Sequence, residues 1–424
     1  MRQDTCFQQA TAFQLIPSED GVFFEQDGRT RFCLNAPKAT SLAISLPGGP
    51  CWPLEKGEDG RWRGTLELEG GFRYVDILMD GETVLLPQLP IGFGYSRTVN
   101  FLDVPAGEDG YYQLQDVPHG SVARHYYPST VTGNTESCLI YCPPDSEGRP
   151  LPILYLQHGL GENETGWVHQ GRINFIMDNL LAQGRVRPMR IVMGNGMVQI
   201  DGGISTSAFP RVLVQDLIPY AESAYPTMKG KWNRAVAGLS MGSMHASAAS
   251  MTHPELFGYV GLFSGFLRML WENEQPHLKA LDDPEAFARN YRVFFRAMGD
   301  RDEFFSVFEE DDRLLASKGV QVMRKVYAGK HEWQVWRECA RFPAAAVPVT
   351  WGNGYGKIAG RAVAAERRGR LHGLSCHRPE SGLHDRYPDG APAVNAADPR
   401  IDRTCGGSVA DTCPSGPFWC GRRI

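Results

Sequence analysis

The chain has 424 residues, a formal net charge of −5, and 42% hydrophobic and 11% aromatic residues, enough for a large buried core and more than one domain. This balance argues against a nucleic-acid or anionic-membrane partner, since no basic run or face stands out. No apolar stretch approaches the ~20 residues that a membrane helix needs.

Ten cysteines are scattered without metal-ligand spacing, so free thiols in a reducing compartment are expected. The start, Met1-Arg2-Gln3-Asp4-Thr5-Cys6, lacks the charged and apolar regions of a signal peptide. The expected location is therefore cytoplasmic, and no motif calls for a cofactor or a metal.

Residues 1–105 read as all-β. Alternating segments at 31–35, 41–46, 62–68 and 72–79 are separated by Gly, Pro and Asp turns, and Asp80-Gly81 marks a hairpin before Thr83. Short strands at this spacing predict a small sandwich. A polar, glycine-bearing stretch at 106–120 is the expected linker. From 121 to 345 the period changes. Apolar strands are expected at 153–157, 190–193, 234–237, 260–263, 293–298 and 320–327, with helices at 173–183, 212–223, 242–252 and 304–317 between them. Strand and helix in alternation predict a mostly parallel sheet covered on both faces, with function at the carboxyl ends of the strands. After Phe342 the pattern stops: Pro343 should interrupt the last helix, and 346–424 is a polar tail rich in Arg, Gly and Pro with four cysteines but no Cys-x-x-Cys pair. The tail reads as disordered and foreign to the fold, as a shifted reading frame would produce.

The stretch Ala235-Val236-Ala237-Gly238-Leu239-Ser240-Met241-Gly242-Ser243 is a strand running into Gly-x-Ser-x-Gly, followed by a small-residue helix. This is the nucleophile-elbow pattern, in which a strained turn holds a serine exposed. A serine nucleophile needs a base, and an acid that orients the base, in the chain order Ser, Asp or Glu, His. Among the later histidines, His245 lies on the helix after the elbow. His253 and His277 lack a preceding strand, and His372, His377 and His384 fall in the tail. His331 directly follows a strand, in Gly329-Lys330-His331-Glu332-Trp333. A zinc-protease helix starting there is excluded, because Val335 stands where a second histidine is required. Asp300 and Asp302 both qualify as the acid by position, and either also suits a helix cap. The oxyanion needs two backbone N–H donors. One is Met241, next to the serine; the other belongs to the loop Gln157-His158-Gly159-Leu160-Gly161, at Leu160 or Gly159.

Several of these stretches together resemble the esterase-D-like group of α/β-hydrolases, which holds feruloyl and acetyl-xylan esterases, enterochelin esterases and mycolyltransferases. They are Asp116-Val117-Pro118-His119-Gly120, the His158-Gly159 loop with Trp167 downstream, Asp178-Asn179-Leu180, the Gly-Leu-Ser-Met-Gly elbow, and Gly329 to Arg337. The resemblance covers about 20–342. It implies an α/β-hydrolase fold preceded by an Ig-like sandwich, and its Gly-x-x-Asp acid loop implies Asp302. The implied activity is serine carboxylester hydrolysis on small-molecule or oligosaccharide esters of the plant cell wall. Trp167, His158 and Trp333 are the candidates for substrate contact, with Phe263 and Trp336 beside them. The alternatives are enterochelin-type hydrolysis, acyl transfer, or carbohydrate binding by an inactive domain. If the tail is foreign, truncation after about residue 345 should leave any ester turnover intact; a folded but inactive truncation would refute that.

Overall fold

The structure, a computed structural model, describes residues 20–346 apart from 88 and 106–109. The tail expected beyond 346, with its four cysteines, lies outside the described residues.

Ten short strands open the described chain: β1 Gly21–Phe24, β2 Thr30–Asn35, β3 Leu42–Ser45, β4 Cys51–Pro53, β5 Glu55–Lys56, β6 Arg61–Leu66, β7 Gly71–Met79, β8 Glu82–Val84, β9 Ile91–Gly94 and β10 Arg97–Val104. They form two antiparallel sheets, ordered β1-β2-β6-β5 and β4-β3-β7-β10-β9, with β8 on β7. Alternate residues of both sheets meet in one core: Phe32 and Leu34 face Ile44, Val75, Ile77 and Leu102. Asp80-Gly81 makes the expected tight turn, with both residues at positive φ, the conformation that a two-residue hairpin demands.

The larger sheet begins with an antiparallel pair, β11 Ser121–Pro128 and β12 Thr135–Cys142, which the sequence reading did not pick out. Its other strands are β13 Ile153–Gln157, β14 Arg190–Gly194, β17 Arg234–Leu239, β18 Tyr259–Phe263, β19 Val293–Gly299 and β20 Met323–Tyr327; the small hairpin β15 Val198–Ile200 and β16 Gly203–Ser205 lies outside it. The order is β11-β12-β14-β13-β17-β18-β19-β20, and the pairings from β13 onward are parallel. Neighbouring residues of one strand enter opposite cores, Ala237 and Phe295 on one face and Val236 and Phe294 on the other. That explains why these strands read as continuous apolar runs. At the sheet edge β20 is shorter than expected and largely exposed, because only one neighbour covers it.

Helices Ile173–Ala182 and Trp333–Ala346 cover one face, while the helical segment from Phe209 to Ala224 and the helix Met241–Thr252 cover the other. The expected break at Pro343 does not occur: the last helix runs through it to Ala346. A proline costs one backbone bond and some crowding in the preceding turn. Here it falls after Trp333, Val335, Trp336, Arg337, Cys339 and Ala340 have already been buried, so tertiary packing holds the helix.

The expected linker is not a free tether. Tyr111 and Tyr112 enter the larger core, and Asn179 donates to the Tyr111 and Gln113 carbonyls at 2.9 Å. Asp178 gathers His119 (2.9 Å), the Gly120 amide (3.0 Å) and the Tyr141 hydroxyl (2.5 Å). The sandwich itself is fastened by Asp103 on β10. Arg337 donates to both of its oxygens at 2.9 and 3.0 Å, and Arg172 to one at 2.8 Å. Burial would raise the Asp103 carboxyl, but the two guanidiniums outweigh it and hold it below its usual range. Removing the shared carboxylate strands two buried cations. Asp103→Ala is therefore expected to cost about 3–5 kcal/mol, seen as a lower urea midpoint; an unchanged midpoint would mean that both arginines reach water.

Candidate active site

Strand β17 delivers Ser240 to the carboxyl edge of the sheet, and the backbone there is strained, with φ 50° and ψ −121°. Two glycines make the turn possible. A Cβ on Gly238 would lie 2.3 Å from the Gly242 carbonyl oxygen, and one on Gly242 would lie 2.6 Å from the His158 oxygen and 2.7 Å from that of Gln157. The serine turn, the helix behind it and the loop after β13 are thus packed backbone to backbone.

The structure brings Ser240, His331 and Asp302 into one hydrogen-bonded row. His331 Nε2 lies 2.9 Å from the Ser240 hydroxyl, and its Nδ1 lies 2.9 and 3.1 Å from the two Asp302 oxygens. Nδ1 facing a carboxylate carries the proton, leaving Nε2 to accept from the serine. Asp302 is fully engaged: Ser264 donates to it at 2.7 Å and the Phe304 amide at 3.0 Å, while Trp336 donates to Ser264 at 2.9 Å. Burial alone would raise this carboxyl, but the His331, Phe304 and Ser264 donors hold it below its usual value. Asp300 is 52% exposed on its side chain and accepts from the Gly329 amide instead, so the geometry separates the two aspartates that sequence position left open. The His331 ring is held edge-on by Phe304 and Trp336, with centroids 5.2 and 5.1 Å away. Ser264, at φ 42°, carried no recognisable sequence signal.

Of the two loop amides proposed for an oxyanion, Gly159 is committed elsewhere, donating to Glu162 at 3.1 Å. That corrects the expectation and leaves Leu160. The Met241 and Leu160 amides make no hydrogen bond among the described residues. The substrate-contact candidates are corrected too. Trp167, Trp333 and His158 are 1%, 2% and 1% exposed. Trp167 donates to the Gln157 carbonyl and Trp333 to Glu162. His158 accepts from the Gly196 amide at 2.8 Å while its Nδ1 meets the Gly159 carbonyl. Burial drives His158 down to about 4, so it is a neutral strut. Phe263 is buried as well. Large aromatics near a motif were drawn into the core because burying them gains more than exposing them. His245 is buried against the Thr206 carbonyl and His277 against that of Leu267, both structural placements. Among the described residues, no His, Cys, Asp or Glu group is arranged to hold a metal.

A parallel-centred sheet with a strained serine at a strand end and a His–Asp pair from later loops defines the α/β-hydrolase class. The comparisons agree. Residues 129–345 match the family described as "Putative esterase", and the chain belongs to this esterase family. It is 33% identical over 76% of its length to an endo-1,4-beta-xylanase/feruloyl esterase of Xylanibacter ruminicola, of which it covers 45%; the chain thus spans under half of that relative. An uncharacterized protein of Bacillus subtilis, YjcH, is 21% identical over 52% of this chain and 94% of its own. The enterobactin esterase of Shigella flexneri shares the fold, with a TM-score of 0.55 and 15% identity over 81% of this chain and 98% of that one.

The backbone contacts behind the serine leave no room for a methyl group. Gly242→Ala is expected to lose at least about 1–3 kcal/mol and to shift the thermal midpoint down, as followed by circular dichroism; a variant as stable as the parent would show that the loop after β13 yields.

Proposed function

We propose that the chain is a serine carboxylesterase acting on esters carried by plant cell-wall sugars, with feruloyl esters first among them. The observation that carries the reaction type is the row Ser240–His331–Asp302 at the elbow. His331 takes the serine proton as the hydroxyl attacks the ester carbonyl. The same nitrogen then returns the proton to the departing alcohol, and Asp302 stabilises the imidazolium formed between. The Met241 and Leu160 amides receive the oxyanion, and water clears the acyl-enzyme by the same steps in reverse order.

The substrate class rests on the relative that is named a feruloyl esterase and on the apolar wall beside the elbow. With the aromatic candidates of the sequence buried, that wall falls to Met197, Leu270 and Phe304, partly buried and packed against the apolar cluster that holds Met241 and Met244. An aromatic acyl group is the natural occupant of such a surface, whereas an acetyl group would leave most of it wet.

Hydrolysis of methyl ferulate and of an aryl acetate, with Ser240→Ala alongside, tests the proposal. The variant should lose about 10⁶-fold in kcat, and Asp302→Asn about 10⁴-fold, while Asp300→Asn should stay near the parent. Acetate turnover without ferulate turnover would move the substrate to acetylated sugars. Preferential cleavage of a catecholate serine ester would move it to siderophores, and a folded protein active on none of them would end the esterase reading.

A further inference from the structure

Glu162 is a buried acid that the reaction described above does not use. One of its oxygens accepts from the Gly159 amide at 3.1 Å. The other accepts from the Tyr74 hydroxyl at 3.0 Å and from the Trp333 indole at 3.1 Å. No ion pair reaches it among the described residues, so this carboxylate is solvated by neutral donors alone. Burying an acid in that way is costly, and the cost is out of place in a merely structural contact. The three donors come from three parts of the molecule: the loop after β13, strand β7 of the sandwich, and the helix that follows His331. Tyr74 is itself fixed by Gln170 at 2.9 Å. The tip between β9 and β10 closes the arrangement, the Ser96 amide donating to the Gly161 carbonyl at 2.8 Å. The loop so held lies against the serine: a Cβ on Gly159 would stand 3.5 Å from that of Ser240.

We propose that Glu162 is a positioning residue that fixes the 158–161 loop against Ser240, and that through Tyr74 the N-terminal sandwich is part of the machinery of ester cleavage. This rests on the esterase reading above. The Gly159 amide is turned to Glu162, which fixes the turn from which the neighbouring Leu160 amide meets the oxyanion. Glu162 holds the turn in its ionised form. Once protonated, it can give its hydrogen only to the Tyr74 hydroxyl, the one partner of the three that can also accept, and the bond to the sandwich then runs the other way. The titratable groups facing it are Tyr74 and Tyr95 from the sandwich and His331 from the loop before the last helix. Burial pushes the Glu162 carboxyl up to about 7, against the opposing donors Gly159, Tyr74 and Trp333 and the His331 charge. The ionised form therefore prevails above that pH and the protonated form, with the Tyr74 bond reversed, below it.

The test is steady-state turnover of phenyl acetate by the full chain between about pH 5 and pH 9, for the parent, Glu162→Gln, Tyr74→Phe and Ser240→Ala, with circular dichroism to confirm folding. Glutamine keeps the shape but sets an NH₂ or a single overloaded oxygen against the three donors. Glu162→Gln should lower kcat about 10²-fold, as a misplacement of about an ångström does, with KM changed less than about threefold, the split that marks a loss confined to the transition state. Tyr74→Phe, which deletes only a hydroxyl, should lose about tenfold in kcat, and it decides the matter if Glu162→Gln does not fold. A folded Glu162→Gln with the parent's kcat, or one that loses in KM rather than in kcat, overturns the proposal and leaves the esterase reading standing. A parent no more active than Ser240→Ala overturns both.

Discussion

Between the first turn of the helix after Ser240 and the carbonyls of Gln157 and His158 there is room for a hydrogen atom and nothing larger. Much of the site follows from that contact. It sets the helix so close to strand β13 that the serine is forced into left-handed backbone, an arrangement only a packed surround can hold. It also presses the loop after β13 against the serine. Two N–H groups, Met241 on one side of the contact and Leu160 on the other, are brought to the same carboxyl edge without any side chain being asked to supply them.

The parts of this arrangement that the sequence discloses are those written in adjacent residues. Gly238-Leu239-Ser240-Met241-Gly242 states its own geometry, because each glycine marks a close approach, and His331 stands directly after a strand. The doubly buried strands show as apolar runs because alternate residues feed opposite cores. What the sequence hides is contact between distant residues. Ser264 meets Asp302 across 38 positions and Trp333 meets Glu162 across 171. An indole or an imidazole near a motif looks the same in sequence whether it lines a slot or props a loop, and Trp167, Trp333 and His158 are props. Pro343 misleads for a related reason. Local propensity argues for a stop, and the buried residues ahead of it overrule that.

The acid partner shows how little separates two readings. Asp300 and Asp302 sit on one turn after β19, and each accepts a backbone N–H. Only Asp302 lies beneath Ser264 and His331, shut away from water. There its charge is held by directed donors rather than by solvent, so it can orient an imidazole without competing for protons near neutrality.

Asp103 carries a different lesson. It belongs to the sandwich, yet the residues it serves are arginines 69 and 234 positions further along the chain. A hydrolase half inherited without this particular sandwich would lose the carboxylate that Arg337 and Arg172 share and leave Arg337 on the neutral Gln170 carbonyl, and a sandwich inherited alone would lose both of the cations that answer Asp103. Exchanging either half for one that lacks its side of this contact would therefore be felt at the seam, far from the serine.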